Sequence, residues 1–306
     1  QNDIPFKSKN TGIMHACGHD AHTASLLGTL LILNDLKEEF EGTIKFIYQP
    51  AEEKLPGGAK QMIEEGILEN PTPEFVLGQH VYPDLSCGKV GFKSGVYMAS
   101  TDEIYITVKG KGGHAALPKT ITNTVLIASE IIVALQQVPN KLAPKKIPTV
   151  LSIGKVIANG STNVIPNEVY LEGTFRTMDK TWREIAHQKI KEISKSIAKK
   201  QGASVEVNIK KGYPVLINNE NTTQKAIHYA KEYLGDSNVV ELDYRMTAED
   251  FAYFSERIPS TFYRLGTSEN IENSYPLHSA NFNIDEKSLK IGMGTMAYIA
   301  INFFNN

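Results

Sequence analysis

Residues 15–22 crowd three of the chain's eight histidines and one of its two cysteines into eight positions, as His15, Cys17, His19 and His22. Polar groups so concentrated are costly to bury without a partner, so a fold built on this sequence is constrained to gather them about a shared cation. Cys17 and His19 are one residue apart. In an extended or turning backbone their side chains lean to the same side and can reach one ion, whereas a helix would part them by about 200°. Some thirty residues further on, Pro50-Ala-Glu-Glu53 adds two adjacent carboxylates just after an apolar run. Thiolate, imidazole and carboxylate together suit zinc or a neighbouring late transition metal, while magnesium or calcium would want oxygen alone. The competing reading makes Cys17 a small buried apolar residue and the histidines caps; a structural zinc site would need more cysteines than the remaining Cys87, and no C-x-x-C occurs.

Bulk composition excludes several classes. The 306 residues suffice for two domains and a large core, and a formal charge of −2 gives no long-range attraction to nucleic acid or an anionic membrane. No run of about 18 apolar residues marks a membrane span. Two cysteines, one of them a candidate ligand, fit a reducing, cytoplasmic setting. No stretch of these residues is expected to be a signal peptide, and because the first residue is Gln1 and not Met, the natural amino terminus is expected to lie upstream.

Periodicity predicts an interrupted order of elements. Ala24 to Leu36 reads as a buried helix, 42–49 as an alternating strand ending at Glu52 and Glu53, Ala59 to Gly66 as a short helix, and 75–80 as a strand closed by His80. From Gly95 the texture changes to a strand at 102–109, a helix at 121–138, strands at 149–158 and 169–178, a helix at 180–200 and a strand at 203–209. That βαββαβ order is ferredoxin-like. In its second helix Trp182, Ile185, Ile190, Ile193 and Ile197 form one stripe, and His187 falls among the polar positions as a surface residue. After Pro214 the α/β texture returns with a helix at 222–234, a strand near 261–265 and a helix at 288–304. The expected organisation is an α/β/α catalytic domain built from 1–94 and 214–306, interrupted by a ferredoxin-like domain at 95–213.

Eight motifs in order, M-H-A-C-G-H-D at 14–20, P-A-E-E at 50–53, G-Q-H at 78–80, G-G-H-A-A-L-P at 112–118, N-V-I-P at 163–166, G-T-F-R-T at 173–177, A-E-D-F at 248–251 and H-S at 278–279, resemble one family. It is the di-metal N-acyl-amino-acid amidohydrolases, zinc-exopeptidase-like in fold, which include hippurate hydrolase and N-acetyl-diaminopimelate deacetylase. The resemblance implies that Cys17, His19, Glu53, His80 and His278 ligate two divalent ions, zinc or manganese with cobalt or nickel also acceptable, and that Cys17 bridges them. It implies that Glu52 is the general base acting on a metal-held water. It makes the inserted domain a lid and homodimer interface, with His114 reaching the partner's active site to polarise the scissile carbonyl, and Asn163 and Arg176 holding the substrate carboxylate. Arg suits that role through its planar fork. His15, Asp20, His22 and Glu249 are expected to orient the ligands, while Cys87 and His228 match nothing functional.

Two departures accompany the resemblance. Lys119 and Asn123 stand where relatives carry His and Asp, and the relatives have an amino-terminal segment ahead of the residues matching Gln1 to Gly12. The expectation is that the reading frame extends upstream, and that residues 1–306 alone are poorly soluble or inactive. The activity expected is removal of an acyl group from an N-acyl amino acid or short peptide. The alternatives are a dipeptidase or carboxypeptidase using the same water attack, and a truncated relative without turnover. A cysteine hydrolase using Cys17 and His19 would leave Glu53, His80 and His278 unexplained.

Overall fold

The computed structural model describes residues 2–304. It opens with α1 (His19–Asp35), α2 (Gly58–Glu64) and three strands, β1 (Val76–Ser86), β2 (Val90–Phe92) and β3 (Gly95–Met98). The central unit follows as β4 (Ser100–Lys109), β5 (Gly113–His114), α3 (Thr124–Leu135), β6 (Thr149–Ile157), β7 (Val164–Ile165), β8 (Glu168–Thr177), α4 (Lys180–Lys200) and β9 (Ser204–Lys211). The chain then returns through β10 (Leu216–Asn218), α5 (Glu220–Leu234), β11 (Val239–Glu241), α6 (Ala252–Ser255), β12 (Ser260–Ser268) and α7 (Lys287–Asn302). None of the described helices is long and apolar enough to cross a membrane.

The first sheet has the order β1-β12-β2-β11, with β1 and β12 parallel. All nine residues of β12 are buried, as expected for a strand covered on both faces. Tyr263 and Leu265 point to one side, where they meet α5 and α7 through Ala226, Tyr229, Met296 and Ile299. Phe262 points to the other, against Ala59 of α2 and Phe251, Ala252 and Phe254 around α6. Alternation along one strand thus builds both cores of an α/β/α sandwich.

The second sheet, β6-β8-β4-β9, is wholly antiparallel. It carries α3 and α4 on one face, so βαββαβ is the order observed. The inward positions of β4 are Ser100, Asp102, Ile104, Ile106 and Val108, and the last three pack against Ile127, Ile131, Trp182, Ala186 and Ile190.

Four sequence expectations need correction. Residues 42–49 are extended but form no ladder among the described residues; Lys45 Nζ instead donates to the carbonyls of Ile67, Glu69 and Pro71. Alternation reports an amphipathic extended segment, and a strand also needs a neighbour. His80 lies in the middle of β1, because the ladder with β12 continues past it through Tyr82. Helix α1 is only half covered, with Leu27 and Leu31 exposed. In α4, Ile185 is exposed while His187 is 4% exposed, because Asp102 faces inward at the end of the apolar row of β4 and draws Arg183 and His187 down to it.

Candidate metal centre

Each donor is delivered by a different element. Cys17 sits in the turn before α1, where Gly18 takes a left-handed conformation (φ 77°) and passes so close to Val81 that a side chain at 18 would collide with it. His19 opens the helix, His80 projects from β1, Glu52 and Glu53 lie in the loop before α2, and His278 lies in the loop between β12 and α7. Ala51 (φ 57°) and His278 (φ 64°) are two of the three non-glycine residues with left-handed backbones among those described. Such conformations cost about 1 kcal/mol or more each and persist where surrounding structure imposes them, commonly at functional sites.

The side chains converge. Donor atoms of Cys17, His19 and His80 lie within 4.8 Å of one another, as do those of Cys17, Glu53 and His278, and those of His19, Glu52 and Glu53. Cys17 Sγ is 3.6 Å from His80 Nε2, His278 Nε2 is 3.1 Å from Glu53 Oε1, and His19 Nε2 is 3.9 Å from the same oxygen. His80 directs Nδ1 at the Val81 carbonyl, 2.8 Å away, which assigns the proton to Nδ1 and leaves the Nε2 lone pair facing Cys17. His22 accepts the Val81 N–H at Nε2, 3.0 Å, and so braces the strand that carries His80.

The electrostatics are those of a cation site. Burial, then the charges of Arg264 and His22, hold His80 well below the ordinary histidine range. Burial with the charges of His19 and Arg264 takes His22 down to about 3, and burial also lowers His19. These imidazoles are neutral, the form that ligates metal. Burial pushes the Cys17 thiol up, and Glu53 adds to it. Burial, then the charges of Glu53 and Asp250, push Glu52 up to about 7 against the opposing charge of Arg264. Burial and Glu52 raise Glu249 well above the carboxylate range. A divalent ion among these groups would favour thiolate and carboxylates over their protonated forms, so the donor set fits such an ion both in chemistry and in charge.

Other expected residues are placed as follows. Glu249 is buried, with a carboxylate oxygen within 4.8 Å of those of Glu52 and Asp250. His15 is exposed and acts on His19 only through its charge. Asp20 is exposed in the first turn of α1 and accepts from the Ala21 N–H. His114 lies in the small β5–β7 ladder and Asn163 in the turn just before β7, both outside the donor cluster; His114 is exposed, and the Asn163 carbonyl accepts from Ala115 N. Arg176, on β8, donates from Nη1 to the Met246 carbonyl at 3.0 Å, and burial lowers its pKa. Lys119 lies exposed in a 3-10 turn and Asn123 caps α3.

Three residues around the site escaped the sequence reading. Arg264 is paired in register with His80 across β1 and β12, is 3% exposed, and donates from Nε to Tyr97 Oη at 3.2 Å. An arginine inside the otherwise apolar Thr261-Phe-Tyr-Arg-Leu265 was a usable signal. Asp250, inside the quoted A-E-D-F motif, accepts from Gln49 Nε2 and from Ala59 N. Tyr213 donates from its hydroxyl to the Glu52 carbonyl, a contact with no local signature.

A metal-binding hydrolytic centre on an α/β/α sandwich with an inserted ferredoxin-like unit is a defined class of protein. Residues 1–302 match peptidase family M20/M25/M40, and the chain belongs to that family. With the donor cluster above, this makes it a metal-dependent amidohydrolase. It is 38% identical over 303 residues to an N-acetylcysteine deacetylase of Bacillus subtilis, covering 98% of this chain and 77% of that protein. It is 35% identical over 306 residues to thermostable carboxypeptidase 2 of Saccharolobus solfataricus, covering 99% and 77%. Among solved structures, a dinuclear metal-binding M20 peptidase of Bacillus subtilis superposes with a TM-score of 0.85 at 34% identity, covering all of this chain and 77% of that one.

Proposed function

We propose that the chain removes the acyl group from N-acyl amino acids, with Cys17, His19 and His80 holding one divalent ion, Cys17, Glu53 and His278 the other, and Glu52 serving as base. The observation that carries this reading is that Cys17 belongs to two separate three-donor groups while Glu52, next in sequence to the ligand Glu53, stands beside the pair. Zinc suits the thiolate and imidazoles; manganese, cobalt or nickel are compatible. When bound, the ions polarise the scissile carbonyl and acidify water at neutral pH. Glu52 takes a proton from the attacking water and delivers it to the departing amine nitrogen, so the amide C–N bond breaks as the new C–O bond forms. Arg176 uses one Nη1 donor on Met246 and has a fork of further N–H groups for the carboxylate of the substrate, and Asn163 is assigned to the same carboxylate.

The similarity to a carboxypeptidase keeps peptides as a second substrate class. A panel of N-acetyl and N-benzoyl amino acids against dipeptides, run on zinc- and manganese-loaded protein, separates the two. We expect faster cleavage of the N-acyl amino acids, loss of activity on chelation, and recovery with two equivalents of metal. Preference for dipeptides would shift the assignment to a peptidase, and activity that survives full chelation would remove the metal mechanism.

His114 is exposed and belongs to none of the donor groups, which supports a role in a neighbouring subunit of a homodimer joined through the ferredoxin-like unit at 95–213. If so, a His114→Ala variant and a Glu52→Gln variant, each inactive alone, regain activity when mixed and allowed to exchange subunits. No recovery in a verified hybrid would remove the shared site.

A further inference from the structure

We propose that Tyr213 is a positioning residue for Glu52, held in turn by a buried Arg183–Asp102–His187 cluster in the ferredoxin-like unit; the proposal rests on Glu52 being the base. Glu52 lies in a loop whose backbone is not at rest, because Ala51 beside it has φ 57°, a region that L side chains with a Cβ rarely adopt. A turn of that kind keeps its shape only when bonded from outside. Asp250 pins its ends, accepting from Gln49 Nε2 at 2.7 and 2.8 Å and from Ala59 N at 3.0 Å. Tyr213 pins its middle, donating its hydroxyl hydrogen to the carbonyl of Glu52 itself.

Tyr213 is 5% exposed, with its ring edge-on to Tyr253 at 6.1 Å. Its backbone belongs to the segment leaving the ferredoxin-like unit, and that segment is bolted down. Tyr213 O accepts from Thr101 N at 3.1 Å, and Gly212 N donates to Thr101 O at 3.0 Å. Asp102 Oδ1 also accepts from Gly212 N, at 3.3 Å. Arg183 grips Asp102 with Nε at 3.0 Å and Nη2 at 2.5 Å, and the same Nη2 reaches the carbonyls of Gly212 at 3.1 Å and Thr101 at 3.3 Å. His187 Nε2 completes the cluster at 2.7 Å from Asp102 Oδ2. Gly212 permits the close approach, since a Cβ there would stand 2.6 Å from the Thr101 carbonyl oxygen. One bonded path therefore runs from α4 through Asp102, Gly212 and Tyr213 to the backbone of Glu52.

Tyr213→Phe keeps the ring and removes only the donated bond. In metal-loaded protein we expect kcat to fall about tenfold, the scale of one hydrogen bond expressed on a barrier, with KM and metal stoichiometry unchanged. Amide exchange of residues 51–57 should quicken, while exchange elsewhere does not. Adding Ala51→Gly, which adopts the left-handed turn without steric cost, should restore part of kcat, a rescue that a general packing defect would not show. Arg183→Lys keeps the charge but loses the fork, and should give the same pattern with a smaller fall. Wild-type kcat in Tyr213→Phe, or a fall accompanied by metal loss or a raised KM, overturns the proposal; unchanged exchange at 51–57 in Arg183→Lys overturns the cluster's part in it. Should the wild-type protein hydrolyse no amide, the functional reading fails on its own, and the exchange measurement still decides whether Tyr213 holds this loop.

Discussion

Glu52→Gln should keep both metals and lose at least about 100-fold in turnover, the scale of a missing general base. The amide matches the carboxylate in size and can still hydrogen-bond, but it cannot accept the proton of the attacking water. Its neighbour behaves differently. Glu53 Oε1 is the atom that His278 and His19 approach at 3.1 and 3.9 Å, so Glu53→Gln should weaken metal binding, and excess metal should restore part of the activity. Elemental analysis beside steady-state rates for the two variants distinguishes a base from a ligand. Near-normal turnover in Glu52→Gln, or equal metal loss in both variants, would place the base elsewhere.

What was legible in the sequence follows from how each signal is encoded. The layered α/β character and the ferredoxin-like unit could be read because apolar periodicity is local, and α4 begins and ends at the expected residues 180 and 200. The donor cluster could be read because Cys17, His19 and the Glu52–Glu53 pair sit in short polar runs that have no other economical explanation. Where recognition needed a partner distant in sequence, the reading failed. His187 looked like one more polar residue on the outer face of α4; its burial depends on Asp102, 85 positions earlier. Residues 42–49 have the composition of a strand, but composition cannot supply the neighbour that a ladder requires. Arg264 and Tyr213 act on the site from β12 and from the segment before β10, and neither carries a motif. The converging candidate donors were therefore visible, while much of what aims and electrostatically tunes them was not.

Asp102→Ala should destabilise the ferredoxin-like unit by about 3–5 kcal/mol, the range for removing one partner of a buried ion pair and leaving the other charge uncompensated. Asp102 is 0% exposed, Arg183 7% and His187 4%, so water cannot replace the lost carboxylate for either. Gly212 N and the fork of Arg183 lose their shared acceptor together, so the loss exceeds that of one surface salt bridge, which is about 0–1 kcal/mol. The same carboxylate predicts the direction of the pH response. Burial raises its pKa, but the hydrogen bonds of His187 and Arg183 outweigh burial and hold it below the ordinary aspartate value. A carboxyl whose folded pKa is depressed contributes stability that is present above its unfolded pKa, about 3.9, and is lost as pH falls through the folded value. Urea unfolding from pH 7 down to pH 3 should therefore show the wild-type advantage over Asp102→Ala shrinking only at the acidic end. A difference below about 1 kcal/mol at pH 7 would mean that Arg183 and His187 find other partners, and that the cluster is not the brace its geometry describes.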